Sequence, residues 1–300
     1  MQALILAGGE GSRMRSVTAH VPKALLYLPG GTLLEHQLAL LAKLPVSHTF
    51  VVIDHLAPQM ELALAGLESV SFVRQRPPFT LLGALASAEG RVTEQCIVLH
   101  GDNYFSHGLE YLLDEAQTTA QGVRPDAAFL VESQIAESDR AVRLASSGCY
   151  VLSPGIFATI KSLRGDALWI LTAALLGSGA TVREVPLRGW RKNINHLEDL
   201  LWASKRMLED WKGAFHPPDG EKGYNRLRGC LTTASPVWIS KESELVDAHI
   251  GPYVVLGPHS RVKDCVLREV IVFPGAELIG RWLECGVVVP TRSDCALLTP

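Results

Sequence analysis

The feature that most constrains this chain is an alternation. From residue 1 to about 205, short runs rich in Val, Ile and Leu take turns with stretches whose apolar residues recur at helical spacing. The runs at 3–8, 49–54, 70–75, 96–102, 127–133, 148–153 and 181–187 read as strands. Their apolar character is nearly continuous, the pattern of strands covered on both faces. Among the intervening stretches, TLLEHQLALLAKL opens on Thr32 with Glu35 three residues later, the spacing of a capping box. It continues with Leu34, Leu38 and Leu41 on one helical face. Such an alternation predicts an α/β fold: a Rossmann-like, mostly parallel sheet with helices on both faces.

The pattern lapses after this domain of residues 1–205. The stretch WKGAFHPPDGEKGYNRLRGC carries Pro-Pro, Asp-Gly and several charges, and predicts a linker over 206–235. A repeat follows over 236–300. Ile250, Leu256 and Val262 lie six apart, as do Val266, Val272 and Leu278, with Gly251, Gly257 and Pro274-Gly275 at corner positions. An apolar residue every six positions predicts hexapeptide coils, that is, a short left-handed parallel β-helix.

Composition narrows the partners. The net charge is −3, so no global basic field favours nucleic acid. The six cysteines are scattered, without a C-x-x-C pair, which suits a reducing compartment rather than a disulfide scaffold. The longest uncharged run, 167–182, falls short of the roughly 20 residues of a spanning helix. No basic leader precedes the first strand. A soluble, cytoplasmic protein with no membrane partner is expected.

The residues that can carry chemistry begin where the first strand ends, in LILAGGEGSRM. A glycine-rich turn at the carboxyl end of a strand in such a sheet lies where these folds bind ligands, and its backbone N–H groups can hold phosphate oxygens. It is neither a G-x-G-x-x-G fingerprint nor a Walker A loop. Arg13 sits in the turn, and Lys23 follows in HVPKALL, where Pro22 holds the chain extended. A guanidinium and an ammonium converging on one polyphosphate stabilise charge in phosphoryl transfer. Asp102, in HGDNYF at the end of a strong apolar strand, suits Mg²⁺, which takes one or two carboxylates plus substrate phosphates.

Taken together, LAGGEGSRM…VPKALL, GDNYF, GCYVLSPGIF and NINHLEDLLWA resemble the sugar-1-phosphate nucleotidyltransferases, or NDP-sugar pyrophosphorylases, over nearly the whole chain. The glucose-1-phosphate thymidylyltransferase type with a C-terminal hexapeptide tail is the most similar. The resemblance implies in-line attack by a sugar-1-phosphate, or a related phosphorylated cyclitol, on the α-phosphate of an NTP, with dTTP or UTP favoured and pyrophosphate leaving. Under it, Arg13 holds the β- and γ-phosphates, Lys23 binds the α-phosphate or the sugar phosphate, and Asp102 holds Mg²⁺. Leu6, Ala7, Gly8, Gly9, Gly11 and Ser12 pack against the nucleotide, and Gln75 and Thr80 lie where the base is read. Asn103, Gly148 and Asp166 fall at the sugar end, and the coils cap the domain or form a homo-oligomer contact.

The chain departs from the family in four places. Asn193 stands where an aspartate usually serves as second metal ligand, so one negative charge is lost. Thr80 replaces a glycine, which predicts crowding near base or sugar. QIAESDRAVRLASS lacks the family's Glu-Lys-Pro, with Arg140 or Arg143 as substitutes. A glutamate that usually contacts the sugar is missing after GCYVLSPGIF, where Lys161 and Leu163 stand, while Asp166 remains. These losses leave open an alternative: a non-catalytic, nucleotide-sugar-binding regulatory or structural relative. Acyl transfer by the coils is a weaker third reading, since His249 and His259 are lone histidines.

Overall fold

The structure, a computed structural model, describes residues 1–117, 124–132, 139–145, 148–211, 227–291 and 295–299. It divides into two compact units. The first comprises Met1–Glu10, Pro22–Ala24 and Leu34–Asn193; the second comprises Gly11–Val21, Leu25–Leu33 and Ile194–Pro300.

The first unit is built on a seven-stranded sheet of β1 (Gln2–Leu6), β2 (His48–Ile53), β3 (Val70–Arg74), β4 (Cys96–His100), β6 (Ala127–Val131), β7 (Cys149–Leu152) and β8 (Val182–Pro186). A separate two-stranded ribbon pairs β5 (Asn103–Phe105) with β9 (Arg191–Asn193). The sheet order is β8-β6-β7-β4-β1-β2-β3, and only β7 runs antiparallel to its neighbours. Every strand expected from the sequence is present, within a residue or two of its expected ends.

Helices α1 (Leu33–Leu41), α2 (Ala57–Ala63), α3 (Leu81–Ser87), α4 (Glu110–Gln117), α5 (Arg140–Ala145), α6 (Ile156–Ser162) and α7 (Leu168–Gly177) connect and cover these strands. Leu4, Val52, Val98, Phe129 and Tyr150 form one buried cluster with Leu85, Phe157 and Leu171 of α3, α6 and α7. Strand order reverses between β1 and β4. β1 leads outward through β2 to β3, and the chain then returns to the other side of β1, which opens a crevice beyond the carboxyl ends of these strands.

The second unit contains α8 (Leu197–Asp210) and the parallel strands β10 (Leu227–Thr233), β11 (Val237–Ile239), β12 (Glu244–Ile250), β13 (Val254–Leu256), β14 (Arg261–Val272), β15 (Glu277–Ile279) and β16 (Trp282–Pro290), closed by antiparallel β17 (Cys295–Leu298). Two parallel stacks run side by side, as coils of a β-helix require. One pairs Val237 with Val254, and Val255 with Ile271, which in turn pairs with Val287. The other pairs Leu245 with Val262, which pairs with Leu278.

The expected six-residue period needs correction. The buried positions run Ile250, Leu256, Val262, Leu267, Val272, Leu278, Leu283 and Val288, with steps of both five and six. Register partners therefore lie 16 or 17 residues apart, and Val266, expected inside, is 41% exposed. Residues at left-handed φ turn the corners, including Asp247, Tyr253, His259, Asp264, Glu269 and Cys285.

Among the described residues, no helix is long and apolar enough to cross a membrane.

Candidate active site

The crevice of the first unit holds a cavity of about 430 Å³. Its wall is assembled from strand ends. Leu6, Ala7, Gly8, Gly9 and Glu10 follow β1, Asp54 follows β2, Gln75 follows β3, and His100, Gly101 and Asp102 end β4. Lys23, Ala24, Phe79, Thr80, Leu81, Ala84 and Asp166 complete it. Of the residues expected at the site, Leu6, Ala7, Gly8, Gly9, Lys23, Gln75, Thr80, Asp102 and Asp166 thus come together around one space.

Lys23 and Asp102 form the polar centre. Lys23 Nζ lies 2.7 Å from Asp102 Oδ2, with the lysine side chain 12% and the aspartate 28% exposed. An ion pair this sheltered needs its remaining lone pairs satisfied to offset desolvation. Asn103 Nδ2 supplies that bond, donating to Asp102 Oδ1 at 2.8 Å. Asn103 is itself fully buried and its Oδ1 accepts from Arg191 Nη1 at 2.7 Å, while Arg191 pairs with Glu132 at 2.6 Å. A relay of four residues therefore holds Asp102 in one orientation. Gln37 Nε2 fixes the backbone beneath it by donating to the carbonyls of His100 and Asn103, each at 2.8 Å.

Asn103 and Gly148, expected at the sugar end, do not line the cavity. Asn103 spends its side chain on the relay. Gly148 adopts φ +65°, and a Cβ there would meet the Asn103 side chain and Arg191 Nη1 at 3.0 Å, so it leaves room for that relay. Gly11, Ser12 and Arg13 belong to the second unit. There the turn is held by Met14 N–H donating to the Gly11 carbonyl at 2.8 Å and by Thr18 Oγ1 donating to the same oxygen at 3.0 Å; Arg13 is exposed.

Thr80 has a local task that explains the departure from glycine. Its Oγ1 accepts from Gly83 N–H at 3.1 Å and caps α3. Arg140 and Arg143 do not replace the missing lysine. Both pair with Glu184, Arg140 Nε at 2.7 Å and Arg143 Nη2 at 2.7 Å. Although burial works against its charge, the hydrogen bonds and charges of these two guanidiniums hold the Glu184 carboxyl below its ordinary range. The rest of the expected substitute segment, 134–138 and 146–147, lies outside the described residues.

His100 was not anticipated, although it adjoins Asp102 in the quoted motif. Burial lowers its pKa below the ordinary imidazole value and outweighs the opposing pull of Asp102. Its Nε2 lies 3.3 Å from the buried Tyr150 hydroxyl. The imidazole thus borders the polar centre.

The donor set fits a hard divalent cation. Asn193 does not line the cavity; its Oδ1 is buried without a hydrogen-bond partner, and Asn193 pairs in register with Asn103, the sequence neighbour of Asp102. One carboxylate and one carbonyl oxygen suit a metal that draws its other ligands from water and substrate phosphates. Among the described residues, no cluster of three or more His, Cys, Asp or Glu side chains could hold a metal alone.

Comparison with known proteins agrees with this geometry. The family model for the MobA-like NTP transferase domain matches residues 3–213. The chain belongs to this family. A glucose-1-phosphate thymidylyltransferase of Streptomyces antibioticus is 24% identical, covering 93% of this chain and 89% of its own length. A UTP–glucose-1-phosphate uridylyltransferase of Haloferax volcanii is 27% identical, covering 70% and 98%. The solved structure of the inositol-1-phosphate CTP transferase from T. maritima shares the fold, with a TM-score of 0.55 at 19% identity, over 66% of this chain and 91% of that one. The relatives are transferases by name, and nothing in them supports the non-catalytic alternative.

Proposed function

We propose that this chain transfers a nucleotidyl group from an NTP to a sugar-1-phosphate or a phosphorylated cyclitol, releasing pyrophosphate. The observation that carries this reading is the Lys23–Asp102 pair at 2.7 Å, set at the strand ends beside the Gly8-Gly9 backbone. Transfer of this kind needs no covalent enzyme intermediate. It needs two anionic groups brought together in line and their charge neutralised.

In this reading the backbone at Gly8 and Gly9 accommodates the nucleoside and phosphates, together with the sequence neighbours Gly11 and Ser12. Lys23 exchanges its bond to Asp102 for one to the α-phosphate or to the acceptor phosphate, and so stabilises charge that grows as the phosphorus–oxygen bond forms. Arg13 holds the β- and γ-phosphates and the departing pyrophosphate. Asp102, oriented by Asn103, and Asn193 through its unpartnered oxygen would hold Mg²⁺. When bound, Mg²⁺ supplies Lewis-acid neutralisation of the triphosphate oxygens. Gln75 and Thr80 border the base, and Asp166 is the sugar-end residue left within the cavity. Asn103 acts on the reaction through Asp102 rather than by touching the sugar.

Residues 1–205 form the transferase domain of this account and 236–300 the coiled module, which serves as a cap or a homo-oligomer contact; of the expected linker 206–235, the residues up to Asp210 belong to α8 and Leu227–Thr233 to β10, which pairs with the coils. In this reading the protein works in the cytoplasm.

The test is pyrophosphate release with Mg²⁺, running each NTP against a panel of sugar-1-phosphates and inositol-1-phosphate. Release requiring one NTP and one acceptor is expected. Absence of release with every pair would overturn the reading.

A further inference from the structure

The cavity also bears on which nucleobase it takes, an inference that rests on the transferase reading above. Gln75 Nε2 donates to the Thr80 carbonyl at 3.0 Å. A carbonyl can only accept, so the amide nitrogen is the atom that faces it, and Oε1 is turned the other way. That oxygen lies 2.6 Å from the point where a Cβ on Gly8 would sit. Asp54 reaches the same patch, with its own Cβ 3.4 Å from that point. Gly8, Asp54 and Gln75 all line the cavity. Among the described residues, the Asp54 carboxylate has neither a hydrogen-bond nor an ion-pair partner.

Two acceptors, one of them anionic, therefore border one stretch of wall, and the absent Cβ at Gly8 is what leaves room for Gln75 Oε1 there. An unpaired carboxylate in a site for a polyanionic triphosphate is unfavourable by Coulomb repulsion unless the ligand brings donors to it. The bases differ in what they bring. Thymine and uracil offer one ring N–H between two carbonyls, which would oppose the acceptors of the wall. Adenine and cytosine each offer an amino group beside a ring nitrogen that itself accepts. Guanine presents two adjacent donors, N1–H and the 2-amino group, an edge that a carboxylate can take in two parallel bonds.

We propose that Asp54, with Gln75 Oε1 beside it, reads the guanine edge, so that the nucleotide is GTP. This departs from the dTTP or UTP that the resemblance favours, because the hydrogen-bonding character of the wall, not the overall likeness, selects the base.

The experiment is calorimetric titration of the full chain with GTP, CTP, ATP, UTP and dTTP in the presence of Mg²⁺, repeated on Asp54→Asn. GTP is expected to bind at least about ten-fold more tightly than UTP or dTTP. Asp54→Asn is expected to bring that ratio to within a few-fold, with UTP binding unchanged or improved by the lost negative charge. Tightest binding of any other NTP to the unaltered chain would overturn the guanine assignment while leaving the transferase reading intact. An unchanged ratio in Asp54→Asn would likewise overturn it. Failure of all five to bind would overturn both.

Discussion

The crevice of the first unit and the coils of the second are specified in different currencies. In the crevice each position carries a particular functional group. Asp102 has one oxygen on Lys23 and the other on Asn103, and Asn103 is held in turn by Arg191. No other residue type reproduces that chain of donors and acceptors. In the apolar core of the coils it is the inward or outward direction of each side chain that is specified. Buried positions step by five or six, and any aliphatic residue of suitable volume can serve. Exact identity in one region and mere periodicity in the other predict different responses to substitution.

The largest effect is expected at Lys23. Lys23→Met should lower turnover by about 10²–10³-fold, since it removes a charge aimed at the phosphates. The same change should tighten Mg²⁺ binding in the absence of nucleotide, because Lys23 occupies the Asp102 oxygen that the metal needs. Kinetics and a metal titration on one variant read both effects. Weaker metal binding in that variant would break the account of the pair.

A smaller effect separates inward from outward positions in the coils. Val262→Ala should cost about 2 kcal/mol in denaturant unfolding, since Val262 is buried in the coil core. Val266→Ala should stay within about 0.5 kcal/mol, because Val266 faces outward. Equal costs at the two sites would mean that the strict six-residue period holds after all.

Much of this was legible in the chain itself. The strands were visible because those of a covered sheet are nearly continuous in apolar residues, and Lys23 and Asp102 because a phosphate site must combine a cation and a carboxylate at strand ends. The coil period was legible only approximately. Val266 and Val272 are six apart, yet the step from Val262 to Leu267 is five, and a residue at left-handed φ, Asp264, absorbs the difference. Spacing alone cannot reveal such a corner when the residue is not glycine.

The relay was hidden for another reason. Asn103 and Arg191 are 88 residues apart in sequence and meet through the β5–β9 ribbon. That pairing also gave Asn103 a supporting task instead of a sugar contact. Arg140 and Arg143 looked available until β8 brought Glu184 between them. Asp54 ends a strand as Asp102 does, but nothing local shows that one carboxylate is engaged and the other is not.

The central claim is that Asp102 anchors a metal-dependent nucleotidyl transfer in this crevice. The most direct test is pyrophosphate release by Asp102→Asn beside the unaltered chain across a Mg²⁺ titration, with circular dichroism recording the fold. The account predicts a loss of at least about 10³-fold at every Mg²⁺ concentration in a folded variant. Turnover equal to that of the unaltered chain, with the same Mg²⁺ dependence, would contradict it.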